Sequence, residues 1–168
     1  NLNKDSKYLP SIRIDDLFMK PKSKNEYLNS WYLSGHEKIK KAIKEIKIII
    51  QTNKPSYFSL STENFKEFEN EFFFKHFLSL LKESKTPMML LIGVKRGVNK
   101  LYNDAGDGIG TMNLDYLEKI LSKFPRNKFL VSCLDFRDQF KLSVLARKFQ
   151  TLKIVGFWWF NNNESIIE

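Results

Sequence analysis

One cysteine in 168 residues leaves no partner for a disulfide within the chain. That suits a reducing compartment, and a cytoplasmic protein is expected. Cys133 lies inside an apolar run and reads as a small core residue rather than a nucleophile. Histidine is nearly as scarce: His36 and His76 fall in helical stretches far apart, without the spacing of metal ligands. The chain shows neither a secretory signal nor an apolar stretch long enough to span a bilayer, so no membrane role is expected. No Gly-x-Gly-x-x-Gly follows the first strand and no phosphate loop appears, which leaves nucleotide binding without support.

What is present is a globular composition, 42% hydrophobic and 14% aromatic, in a length that makes one domain over residues 1–168. The net charge of +9 raises nucleic-acid binding, and the distribution of that charge argues against it. Lys38, Lys40, Lys41, Lys44 and Lys47 alternate with Ile39, Ala42, Ile43 and Ile46, the pattern of an amphipathic helix with a solvated lysine face. Arginine, the usual reader of base edges, is scarce beside lysine, and no nucleic-acid module signature appears. No nucleic-acid partner is expected.

The organising stretch is Thr86 to Gly110. Pro87 opens it, an apolar run from Met88 to Val94 follows, and then the chain turns to glycine, charge and asparagine. Such a run reads as a strand buried on both faces, as in a parallel sheet covered by helices. Arg96 stands just past it, where α/β proteins build their sites.

The other elements follow in turn. Ser11 to Asp15 alternates as a strand, with Arg13 and Asp15 on the opposite face from Ile12 and Ile14. Glu26 to about Ile50 is helical, with Tyr27, Trp31, Ile39, Ile43 and Ile46 inward and Gly35 as a break point. Ser56 to Ser61 is a weaker strand. A helix follows, capped by Ser61 or Thr62 and reaching Glu83, with Phe65, Phe68, Phe72, Phe73, Leu78 and Leu81 as core. Leu114 to Phe124 is a helix ended by Pro125, Lys128 to Leu134 a buried strand, Phe140 to Phe149 a helix, and Leu152 to Phe160 the last strand. Alternation of strand and helix specifies parallel βα units of α/β class, either an arc of a (βα)-barrel or a small doubly wound sheet. The missing initiator methionine, and a helix start at Asn163 cut short at Glu168, make a piece of a larger polypeptide the expectation.

Three motifs taken together resemble the uronate isomerase family. TPMMLLIGVKRGVN followed by DAGDGIG is similar to that family's TPM strand with its Gly, Arg and Asn loop and Gly-Asp turn. GFWWFNN, from Gly156, resembles its Trp-Trp-Phe strand end, and YLPSIRID, from Tyr8, its Leu-Pro-Ser-x-Arg strand. The resemblance implies the middle of a (βα)8 TIM-type barrel of the amidohydrolase superfamily. It implies interconversion of D-glucuronate with D-fructuronate, or D-galacturonate with D-tagaturonate, by proton transfer between C2 and C1 through an enediol. It further implies Arg13 as a clamp for the substrate carboxylate. The other reading of Arg13 is an ion pair with Asp15 or Asp16. Trp158 or Trp159, with Asn161, falls where the family places substrate contacts, one tryptophan being core. Arg96 and Arg137 are loop organisers or ligands, and Asp107 is part of the site or a turn former.

Full-length members hold a divalent metal, zinc foremost, on a His-x-His pair and the Asp of an Asp-x-Arg motif. Neither motif is in this chain, and Met88 to Leu91 lack the histidine of many TPM strands. The expectation is therefore a substrate-side wall that binds no metal, has no assigned catalytic residue and is inactive alone. Missing barrel strands or another chain, a second copy included, would complete it. The alternative is a non-catalytic binding domain of the same ancestry for an acidic sugar or a protein.

Overall fold

Alternate burial along five short strands decides the architecture. In the computed structural model, residues 10–15, 36–63, 65 and 76–156 are described. Strands β1 (Ser11–Arg13), β2 (Tyr57–Thr62), β3 (Met88–Ile92), β6 (Phe129–Cys133) and β7 (Leu152–Ile154) form one sheet, every pairing parallel. Between β3 and β6, β4 (Val94–Lys95) and β5 (Gly108–Ile109) pair antiparallel as a small separate ribbon. The helices are α1 (His36–Asn53), α2 (Leu78–Ser84), α3 (Leu114–Lys123) and α4 (Gln139–Lys148).

Each main strand lies beside its predecessor in sequence, in the order β1-β2-β3-β6-β7. A doubly wound sheet reverses direction at a switch point. Among the described strands there is no reversal, so the sheet winds one way, and β1 and β7 stand at its edges. No helix among the described residues is long and apolar enough to cross a membrane.

Register aligns Phe58, Met88, Phe129 and Leu152 in one row and Leu60, Leu90 and Val131 in the next. All seven are buried, and they join Ile46, Leu78, Leu81, Leu117, Ile120, Leu121 and Leu142 from the helices in one core. The other face carries Ser59, Met89, Leu91 and Leu130, which are half-buried, and Ser61 and Ser132, which are buried. The sheet is therefore two-sided in character: one face packed by helices, the other a mixture of serine and apolar side chains and partly open.

Helix boundaries follow local chemistry. Asn113 caps α3, its side-chain oxygen accepting from the Tyr116 N–H at 3.0 Å, with Asp115 in the first turn and Pro125 beyond the end. In α1, Lys40, Lys41, Lys44 and Lys47 face solvent while Ile46 is buried, as the periodicity requires. Thr62 is a strand residue, yet its hydroxyl accepts from the Phe65 N–H at 2.8 Å, a cap-like bond at the start of the next segment. Phe65 is buried and stacks on Tyr116 at 5.5 Å between ring centroids. The part of the first expected helix from Glu26 to Gly35, with Tyr27 and Trp31, and the inward Phe68, Phe72 and Phe73 lie outside the described residues.

Several strands end before expectation: β1 stops at Arg13, β7 stops at Ile154 with Val155 and Gly156 outside it, and β3 stops at Ile92. The apolar run to Val94 is not a single strand, because Gly93 takes φ +88° and ends β3 at Ile92. At that angle an L side chain is strained, and a Cβ would also stand 3.3 Å from the Gly110 carbonyl. Val94 is thereby turned into the ribbon with Ile109.

The two faces differ in what a truncation removes. Leu90→Ala, in the helix-covered core, should cost about 2–5 kcal/mol by urea denaturation. Leu91→Ala, one residue along on the open face, should cost clearly less. Equal losses would mean that the faces are wrongly assigned.

Candidate functional site

Strand periodicity places Arg13 and Asp15 on the same side of the chain, two residues apart. Arg13 closes β1, and its Nε donates to Asp15 Oδ2 at 2.7 Å while its Nη2 reaches Oδ1 at 3.3 Å. The same Nη2 donates to the Ser61 hydroxyl of β2 at 3.2 Å. Asp15 is 4% exposed, and its Oδ1 also accepts from the Ser61 backbone N–H at 3.1 Å. From beyond β3, Arg96 Nη2 approaches that oxygen at 3.4 Å. A buried carboxylate requires opposite charge and hydrogen bonds, and these donors supply both.

Arg96 is held at its other arm too. Its Nη1 pairs with Asp107 Oδ2, while Asp107 Oδ1 accepts from the Gly97 N–H at 2.9 Å. The loop is closed by the Asn99 N–H, which donates to the Gly106 carbonyl at 2.9 Å. At Gly106 a Cβ would lie 1.8 Å from the Asn99 carbonyl oxygen, so only glycine fits. Four charged side chains, two from the end of β1 and two from the β4–β5 connection, thus meet at the carboxyl edge of the sheet.

A second charged pair stands at the end of β6. Asp135 is buried and accepts from the Arg137 Nε and Nη2, and from the Arg137 backbone N–H at 3.0 Å. The Arg137 side-chain bonds hold the Asp135 carboxyl below its ordinary value against the opposing effect of burial, with help from the Arg137 N–H and charge. Arg137 itself is raised by the same carboxylate. In the next strand position inward, Cys133 is 1% exposed, and burial, with the charge of Asp138, pushes its thiol up to about 11. It is no nucleophile near neutral pH.

The structure brings Arg13 and Arg96 together through Asp15. The ion pair of Arg13 with Asp15 is present, and Arg96 and Arg137 each organise a loop. Both guanidiniums of the first cluster keep solvent-facing surface, at 56% for the Arg13 side chain and 39% for Arg96. Trp158, Trp159 and Asn161 lie outside the described residues. Sequence reasoning treated Asp15 only as a foil for Arg13 and did not pair Arg96 with Asp107. An Arg-x-Asp spacing on a strand carried the first signal; the second depends on loop closure over ten residues and had none.

Among the described residues, no three His, Cys, Asp or Glu side chains gather as a metal ion needs. Asp15 and Asp135 each spend their oxygens on guanidinium and backbone N–H donors, so this donor set does not fit a divalent metal.

No family model and no curated protein matches the sequence. Among solved structures, the chain is similar to a uronate isomerase from Bacillus halodurans C-125, with 31% identity and a TM-score of 0.83 over 97% of this chain and 41% of that one. It is also similar to a uronate isomerase from Thermotoga maritima, with 17% identity and a TM-score of 0.63 over 75% of this chain and 36% of that one. The second likeness, at that identity, concerns the fold alone. The chain spans about two fifths of the length of the first relative.

The Asp135 pair carries a pH signature. A carboxyl lowered on folding contributes stability that is whole above the ordinary carboxylate range, about pH 4, and is lost as pH falls through the lower folded value. Arg137→Ala should remove the side-chain part of the lowering, leaving burial opposed only by the residue-137 N–H, so that the carboxyl titrates higher. A carbon-13 titration of Asp135 that does not move in that variant would contradict the assignment.

Proposed function

We propose that this chain, which resembles a segment of the uronate isomerases, is a contiguous arc of a (βα)8 barrel that forms part of the substrate wall of such an enzyme. The likeness over 97% of the chain carries the reading. Its one-way strand order supports it: sequential neighbours and helices on one face are what a barrel arc requires. The half-buried Met89, Leu91 and Leu130 then belong to the barrel interior, and the missing strands cover them. Beside β7, exposed Phe140, Val144 and Ile154 offer an apolar edge for the next helix of the ring.

The reaction is aldose–ketose isomerisation of D-glucuronate to D-fructuronate, or of D-galacturonate to D-tagaturonate, in the cytoplasm. The part of this chain is to hold the substrate. The guanidiniums of Arg13 and Arg96 receive the C6 carboxylate at the sheet's carboxyl edge, since planar donors match the geometry of a carboxylate. In an eight-stranded barrel the first and fifth strands of the arc face each other across the mouth. Trp158, Trp159 and Asn161 are the further substrate contacts of this reading. The base that takes the C2 proton, and any divalent metal, belong to the rest of the barrel, supplied by missing strands or by another chain, a second copy included.

Alone, the chain should turn over neither uronate, with or without added zinc, in a proton-NMR assay of the sugar. Ligand-observed NMR should show D-glucuronate engaged more strongly than D-glucose, which lacks the carboxylate. Turnover by the isolated chain, or equal engagement of the two sugars, would overturn this assignment. A glucuronate preference without turnover when the remaining barrel is supplied would favour a non-catalytic binding domain instead.

A further inference from the structure

Arg13 closes β1, and Arg96 directly follows β4 of the small ribbon. The main sheet and the ribbon are separate pairings, so no strand ladder joins the two arginines. Asp15 bridges the two, with Arg13 on both its oxygens and Arg96 on Oδ1. The Ser61 N–H of β2 fixes that oxygen from below. We infer that Asp15 is a positioning residue that couples Arg13 and Arg96 into one carboxylate-holding pair.

This rests on the uronate reading and adds to it the origin of the grip. Two arginines facing two aspartates, Asp15 and Asp107, carry no net formal charge together. A surplus of positive charge therefore does not explain attraction of an anion. What remains is direction: a buried anchor at 4% exposure aims two guanidiniums that are themselves substantially solvent-facing. Asp107 steadies the far arm of Arg96 through the loop, so the pair is braced from both sides.

Direction and charge make opposite forecasts. Asp15→Asn keeps the size of the side chain and adds a net positive charge to the cluster. If charge alone governs, the variant prefers D-glucuronate over D-glucose more than the wild type does. If Asp15 positions the arginines, that preference falls by roughly tenfold or more. Asp15→Glu keeps the charge and displaces the carboxylate by one methylene; positioning demands a loss here also, while charge alone demands none. It serves equally if the asparagine variant does not fold.

The companion measurement needs no ligand. Hydrogen exchange of the Arg13 and Arg96 Nε–H groups, followed by nitrogen-15 NMR on the full chain, should accelerate together in either variant. An unchanged or larger glucuronate preference overturns the inference, as does acceleration confined to one arginine. A wild-type chain without any glucuronate preference overturns the uronate reading itself, and paired acceleration of exchange then still shows that Asp15 couples the two arginines.

Discussion

A parallel sheet needs cover on both faces, because its strands are apolar on both. Here Leu60, Leu90 and Val131 are sealed under α1 to α4, while Met89, Leu91 and Leu130, one residue away on the same strands, are half-buried. That imbalance is the constraint behind the rest of the structure. It places the charged cluster of Arg13, Asp15, Arg96 and Asp107 at the rim of the half-buried face rather than on the helix-packed one. It also gives physical sense to a likeness that reaches only two fifths of a relative's length.

The cluster is economical in its wiring. Asp15 joins β1, β2 and the loop after β3 in a single buried carboxylate, and Gly93 supplies the turn that sends Arg96 towards it. Without the break at Gly93, the run from Met88 would continue in the sheet and carry Arg96 past the rim. Backbone conformation, buried charge and candidate chemistry are thus one arrangement.

Much of this was legible beforehand. Short apolar runs bounded by Pro and Gly marked β3 and β6, and lysine spacing marked the solvent face of α1, because burial imposes its period on the residues. The Thr86 to Gly110 stretch was recognisable as the organising one. The end of β3 was misplaced by two residues, since Val94 is as apolar as Ile92 and only the φ of Gly93 separates them. An ion pair of Arg13 with Asp15 or Asp16 stood open beside the substrate clamp, and the structure shows it with Asp15. Arg96 with Asp107 was not legible, because the ribbon of β4 and β5 that brings them together is a tertiary event with only two residues on each side.

The proposed arc of a larger uronate isomerase barrel is checked by reading the coding sequence on both sides of this chain. An in-frame His-x-His strand upstream and an Asp-x-Arg strand downstream, the metal-holding and catalytic motifs absent here, are what the claim predicts. A start codon immediately before Asn1 and a stop codon immediately after Glu168 would contradict it.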